Sequence, residues 1–523
     1  VLADTPQIEF LPGAADDLRI TVNPGNVAAG TPITGPPSVI IEDRFDNPVP
    51  NVVVTVSEQT GQAFAEGTES VSTGLNGVAS FNDLVITSAG QYNLVFSASG
   101  VSNQTSNVFI VSSAEASPAQ TLATVPDGSA GSKTEITITV SDEFGNSVEG
   151  VVQELAVEVG GANAGIVADE ILEQGNGVYT TGYIPSTTGD DTITITLDGT
   201  DIQGSPYTNT VVPSGASAVA VNTEPTTTVA GQPIAGPPTS LLTDSESNPV
   251  PGIDVTAGLS TGSFVSGETV VASDGSGLSV FDDLVITSAG SYTIEFSADG
   301  VSSVATTQSF DVIAAAASDL VIDSGNNQTA TVTQALANPL TVQVTDEFGN
   351  PVEGESVSFE ISDAPTGATG QALSATSVLT DANGLASATL TLGNLSGDYD
   401  VTASGTGIGS VDFTATANAG AASQFAFGTI ASPQTAGSGF TISLTAQDSE
   451  GNTASNYSGT ATLSTTAGSI TPTTADFTGG TASVNVTLSS AGIGQTITAT
   501  DGSITGTSNT FDVQSGGIDA ANS

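Results

Sequence analysis

Short runs in which apolar and polar residues alternate dominate the chain. In 136–140, Ile136, Ile138 and Val140 alternate with Thr137 and Thr139, and in 340–344 Leu340, Val342 and Val344 alternate with Thr341 and Gln343. A period of two sends neighbouring side chains to opposite faces, so each run predicts a strand with one face buried and one wet. A second strand follows, as in Val357-Ser358-Phe359, then a glycine turn such as Asp381-Ala382-Asn383-Gly384 and an alternating run from Ala386 to Leu392. No sustained helical stripe is present, while 60 Gly and 24 Pro punctuate the Val, Ile, Thr and Phe runs. The pattern predicts an all-β fold.

The strands belong to a repeat. An acid-rich turn ending in Asn recurs as Asp43-Arg44-Phe45-Asp46-Asn47, Asp142-Glu143-Phe144-Gly145-Asn146, Asp244-Ser245-Glu246-Ser247-Asn248, Asp346-Glu347-Phe348-Gly349-Asn350 and Asp448-Ser449-Glu450-Gly451-Asn452, with Asn-to-Asn steps of 99, 102, 102 and 102. Units of about a hundred residues are large enough for an antiparallel sandwich to close its own core, so each repeat reads as a domain. The expected divisions are an N-terminal strand over 1–13, sandwiches over 14–113, 114–214, 215–315, 316–420 and 421–514, and a polar tail over 515–523. Units one and three share Gly35-Pro36-Pro37 with Gly236-Pro237-Pro238, and units two and four share Asp-Glu-Phe-Gly-Asn, as duplication of a two-domain cassette would leave them. Tyr92, Tyr292 and Tyr399 each lie two residues after a Gly, the placement of a tyrosine corner; units two and five lack it at that offset. Linkers of about five residues, such as 112–117 and 213–217, leave little room to fold back, so the expected shape is five tandem immunoglobulin-like sandwiches in an extended rod.

Composition then removes most chemistry. The 523 residues hold 55 acids against 3 bases, a net charge of −52, and no Cys, Met, Trp or His. Thiolate and imidazole zinc sites, Ser-His-Asp and Cys-His nucleophiles and imidazole acid-base catalysis are excluded. Three cations, Arg19, Arg44 and Lys133, cannot neutralise a row of phosphates, so nucleic acid and anionic membrane surfaces are excluded as electrostatic partners. No run of 18 uncharged apolar residues is present, which predicts no membrane insertion. Such a charge suits a salty medium in which screening damps self-repulsion.

The run Asp346-Glu347-Phe348-Gly349-Asn350-Pro351-Val352-Glu353-Gly354, then Val357 and Phe359, then Thr380-Asp381-Ala382-Asn383-Gly384-Leu385-Ala386, resembles the bacterial immunoglobulin-like repeats of the invasin and intimin class. Asn47-Pro48-Val49-Pro50 and Asn248-Pro249-Val250-Pro251 fit it in units one and three. Unit two, with Ser147 in place of Pro and a closing Gly204-Ser205-Pro206-Tyr207, is more similar to filamin-type repeats, and unit five departs at Thr453. The resemblance implies extracellular stalks, adhesins and surface layers, and no catalytic residue.

Candidate sites are few. The acidic turns offer calcium the hard oxygen ligands it prefers, with Asp346, Glu347, Asp142 and Glu143 as candidate ligands at domain junctions. None matches the D-x-[DN]-x-[DN]-G loop, and the competing reading is that Asp and Asn stabilise the turn through side-chain to backbone bonds. Asp190-Asp191 and Asp282-Asp283 are adjacent carboxylates, which a strand sends to opposite faces, so they make no glycosidase couple unless a turn redirects them. Lys-Asn crosslinks fail in four of five units because Lys133 is the single lysine. A carbohydrate-binding array needs exposed aromatics, and 7 Tyr without Trp supply few. Sequons stand at Asn103, Asn327, Asn394, Asn456 and Asn485.

The segment Gln7-Ile8-Glu9-Phe10 precedes unit one as Val108-Phe109-Ile110-Val111 precedes unit two and Phe310-Asp311-Val312 precedes unit four. It reads as the last strand of a further domain. Either the sequence is cut from a longer array or the strand is donated to a neighbouring subunit. The expected function is non-enzymatic: subunit of a bacterial surface filament assembled head to tail as a homo-oligomer, or stalk of a longer adhesin, located outside the cell.

Overall fold

The computed structural model describes residues 9–302, 304–305 and 308–517, and every helix or strand among them is a strand. The all-β fold is the observed one. Burial divides the apolar residues into five separate cores, each drawing on one hundred-residue block. No core side chain is shared between blocks, so each unit closes on itself.

Unit four illustrates the sandwich. One sheet orders Ala317–Ser324, Leu340–Asp346 and Leu385–Ala388; the facing sheet orders Gln328–Thr331, Gly409–Asn418, Gly397–Gly405, Ser356–Asp363 and Ser377–Leu379. All pairs are antiparallel except the first of the second sheet, where Gln328–Thr331 runs parallel to Gly409–Asn418. Leu340, Val342 and Val344 are buried against Val401, Ala403 and Phe413, which is the period-two pattern expressed as one inward face. Removing such alternating Val, Leu and Phe side chains from water is what holds two sheets together.

The relation between alternate units shows in one strand. In units two and four it is continuous, as Gly189–Leu197 and Gly397–Gly405, whereas in units one and three it breaks after three residues, into Gly90–Tyr92 with Leu94–Ala98 and Gly290–Tyr292 with Ile294–Ala298. At the unit-one break, Asn93 Nδ2 donates to Ser106 O and Ser106 Oγ accepts from Leu94 N. Side chains thus replace the interrupted ladder.

The tyrosines close the sandwich end. Tyr92, Tyr292 and Tyr399 donate their hydroxyls to Ser88 O, Ser288 O and Leu395 O, four residues upstream, at 2.8, 3.0 and 2.8 Å. In unit two the same offset after Gly189 holds Asp191, fully buried, which accepts from Tyr183 Oη at 2.8 Å, Asn163 N at 2.8 Å and Asn163 Nδ2 at 3.0 Å. Its neighbour Asp190 is exposed, so the two carboxylates lie on opposite faces of one strand and form no acid-base couple. Burial and the Asp191 carboxylate push the Tyr183 phenol up to about 12. The corner of unit two is thus a carboxylate network in place of one phenol.

Replacing Tyr399 by Phe should cost about 1 kcal/mol, because Leu395 O loses its donor while the ring still fills its site. Denaturant unfolding of Tyr399→Phe against wild type checks this, and an unchanged midpoint would remove the corner from the account.

Candidate functional site: the repeated interdomain turn

The five Asp-to-Asn turns have one construction. The backbone closes when the Asp N–H donates to the Asn carbonyl, at 2.9–3.0 Å in every unit. The fourth residue takes a left-handed conformation, with φ of 63° at Asp46, 87° at Gly145, 70° at Ser247, 84° at Gly349 and 90° at Gly451. Glycine suits that position in three units, while Ser247 holds it at a steric cost.

The Asp carboxylate ties two segments together. One oxygen, Oδ1, accepts from the backbone of the third and fifth turn residues, as Asp346 does from Phe348 N and Asn350 N at 2.9 Å each. The other, Oδ2, accepts from the linker entering the unit: Gly13 N onto Asp43 at 2.7 Å, Ala114 N onto Asp142 at 2.9 Å, Ser214 N onto Asp244 at 3.0 Å, Ala315 N onto Asp346 at 2.8 Å and Gly420 N onto Asp448 at 2.9 Å. Each carboxylate is at most 3% exposed, and a charge so placed persists only with such a full set of donors.

The Asn side chain reaches the preceding unit. Asn146 Nδ2 donates to Thr87 O and its Oδ1 accepts from Ala89 N, both at 2.7 Å. Asn248 joins Ser186 O and Thr188 N, Asn350 joins Thr287 O and Ala289 N, and Asn452 joins Asn394 O and Ser396 N, at 2.7–3.1 Å. An amide spanning a carbonyl and an amide two residues on acts as a two-point clamp.

A third contact involves the middle residue of the turn. A Cβ on Gly30 would lie 2.2 Å from the Phe144 ring, one on Gly231 would lie 2.4 Å from Phe348, and one on Gly131 would lie 3.4 Å from Glu246. Glycine is needed there because the next unit's side chain lies against its backbone. Phe144 and Phe348 are thereby partly covered, while Phe45 of the first turn remains 67% exposed under the Arg44 guanidinium, 4.6 Å from its ring.

The amide of Gly13 is the main cause holding the Asp43 carboxyl down, and with donors from Phe45 and Asn47 it lowers the value from an ordinary 3.8 to about 2. For Asp142, Asp346 and Asp448, burial pushes the carboxyl up, but the Asn side chain, the linker amide and the turn amides together outweigh it; for Asp244 the Asn248 backbone leads the opposing donors. These groups are anions with every lone pair engaged, unsuited to proton transfer.

Of the calcium candidates, Asp142 and Asp346 are the buried turn anchors, whereas Glu143 and Glu347 are exposed beside them. Among the described residues no group of three or more acidic side chains is placed to hold a metal ion. Of the assembly candidates, Gln7 and Ile8 lie outside the described residues, while Glu9 and Phe10 are exposed and in no strand, with Phe10 91% exposed. Sequence reasoning found the turns but missed the clamp and the Gly–Phe contact. The signal for the latter was Phe at the third position in units one, two and four.

Fold and turn together define a tandem array of immunoglobulin-like sandwiches joined by a repeated Asp–Asn clamp. Residues 111–208, which cover most of unit two, match the Filamin/ABP280 repeat. This bears out the filamin-type likeness seen in its closing segment. Solved structures similar to the chain include FdeC, an Escherichia coli adhesin, at 25% identity over 58% of this chain and 98% of that one, with a TM-score of 0.39. They also include invasin, a bacterial integrin-binding protein, at 14% identity over 80% and 82% with a TM-score of 0.34, and InvD of Yersinia pseudotuberculosis, at 18% over 57% and 97% with a TM-score of 0.35.

Two outcomes are expected. Because the turn carboxylates are lowered on folding, their contribution is present above the unfolded value and lost as pH falls through the folded one, for Asp43 from 3.8 towards about 2. The melting temperature should therefore drop as pH falls below about 4, and Asp346→Asn should flatten part of that drop. Ser247→Gly relieves the left-handed strain and should stabilise unit three by about 0.5–1 kcal/mol, measured as a shifted unfolding midpoint.

Proposed function

We propose that the chain is a non-enzymatic structural protein of the bacterial cell exterior, serving as the subunit of a surface filament assembled head to tail. The observation that carries this reading is the clamp itself, built four times in one way between consecutive units. A protein whose recurring specific contacts set the relation of one sandwich to the next is organised to hold reach and direction. At about 3.3 Å per residue, strands of about ten residues make units some 30–40 Å long and the whole array on the order of 150–200 Å.

A second reading is the stalk segment of a longer surface adhesin. It is favoured by the position of Ile8 and Phe10, which precede the Gly13 linker contact at the spacing by which Phe109 and Val111, both buried in unit one, precede that of Ala114. Under this reading a preceding domain owns the strand. Exposure of the array to salt water fits both, since screening to a Debye length of a few ångströms makes a charge of −52 tolerable.

Solution scattering of the purified chain should give a maximum dimension of about 150–200 Å. In a variant carrying Asn146→Ala, Asn248→Ala, Asn350→Ala and Asn452→Ala the distance distribution should broaden and shorten, with each unit's strand content unchanged by circular dichroism. A compact particle from wild type would end the reading.

A further inference from the structure

We infer that unit three is the first of the five sandwiches to open, because a pair of buried hydroxyls, Ser240 and Ser279, stands in its core. The inference takes the chain as a structural array and names the place where it yields.

Each unit has a cross-strand pair on the inward face of the sheet that leads into the Asp turn, its first member four residues before the Asp. In four units the pair is apolar and buried: Val39 with Ala79, Ile138 with Tyr179, Val342 with Ala386 and Leu444 with Ala482. In unit three it is Ser240 with Ser279. Both are 0% exposed, and neither Oγ has a hydrogen-bond partner among the described residues. A hydroxyl removed from water without a partner loses its hydration and gains no bond in exchange. Two such groups face each other here.

The rest of this core departs from unit one, its counterpart, in the same direction. Leu18 faces Ile41 as Val219 faces Leu242, Val27 pairs with Val111 as Thr228 pairs with Val312, and Val56 faces Phe96 as Ala257 faces Phe296. Each of these exchanges removes a buried methylene or methyl group or replaces it by a hydroxyl, and a core that gives up such groups loses both burial and packing contacts. The rings of unit three lie closer together: Phe281 and Phe296 stack at 5.2 Å, where Phe81 and Phe96 are tilted at 5.6 Å. Gly258 adds to the cost. It stands inside the strand Asp254–Leu259 where the other units have Ser57, Glu158, Glu360 and Ser464, and glycine gives up the most conformational freedom on folding.

One exchange runs the other way. Unit one has Glu58, 4% exposed and with Oε1 unpartnered, where unit three has Leu259. Glu58 Oε2 nevertheless accepts from Thr60 N, Thr60 Oγ1 and Gln62 N, so this carboxylate is held by its own loop. Unit one is therefore the competing weak point.

Because the five cores share no side chain, one sandwich can open while its neighbours stay closed. About a hundred residues then pass from a unit of about 30–40 Å to a strand that spans at most about 330–360 Å, while the chain stays continuous.

Hydrogen exchange of the full chain in rising urea, followed peptide by peptide, tests the order. Peptides over 239–243 and 294–298 should lose protection before their counterparts in the other units. Ser240→Val with Ser279→Ala, which restores the pair of unit one, should slow exchange in unit three about tenfold or more. Val39→Ser with Ala79→Ser should speed it in unit one by a similar factor or abolish protection there, with the other units unchanged. Slow stretching of the chain between its ends should show a first transition whose force rises in the Ser240 and Ser279 variant. Another unit opening first, unit one included, would overturn the inference. So would unchanged exchange or an unchanged first transition in that variant, the result expected if an internal water already satisfies both hydroxyls. Each unit's exchange is read on its own peptides and holds for a filament subunit or a stalk, so this inference and the functional reading fail separately.

Discussion

A buried carboxylate that must find donors organises this molecule. Each turn Asp is removed from water, and the groups that satisfy it come from two places at once, its own turn and the linker arriving from the previous sandwich. Satisfying one charge therefore fixes the entry path of the chain into the next unit. The Asn at the end of the same turn is oriented by that carboxylate, through Asn350 Nδ2 to Asp346 Oδ2 at 2.8 Å, and so points its amide at the neighbour's loop. Local turn and interdomain joint are consequently one hydrogen-bond network.

The remaining acids mostly face solvent, where water solvates them. Among the described residues the ion pairs are Arg19 with Glu42 and Lys133 with Asp169, both with exposed cations, so pairing does little to hold the fold together. Stability comes from the five apolar cores, and the charge acts between surfaces. Five self-contained cores let each unit be small, which a single core of this length would not.

Much of this was legible in the chain itself. The alternation in 136–140 and 340–344 gave the strands because one inward face per strand is the simplest way to build a sandwich, and the spacing of the Asp-to-Asn turns located the units. The reach of Asn146 to Thr87 and Ala89 was not legible, since its partners are main-chain groups about sixty residues upstream that any side chain can accompany. Asp191 standing where other units place Tyr was hidden for a different reason: a carboxylate in a strand reads as solvent-facing until Asn163 and Tyr183 converge on it. The acidic turns read in the sequence chiefly as backbone staples with ion sites as the alternative, and the donors around Asp142 and Asp346 show the stapling directly.

The clamp grips the carbonyl of Thr87, Ser186, Thr287 or Asn394 and the amide of Ala89, Thr188, Ala289 or Ser396, loops that are alike in units one and three and carry other side chains in units two and four, with the same pair of peptide groups bound each time. Side-chain changes at the clamped loop positions that keep the backbone path therefore leave these hydrogen bonds in place, whereas a side chain added at Gly30 or Gly231 would meet the next unit's ring.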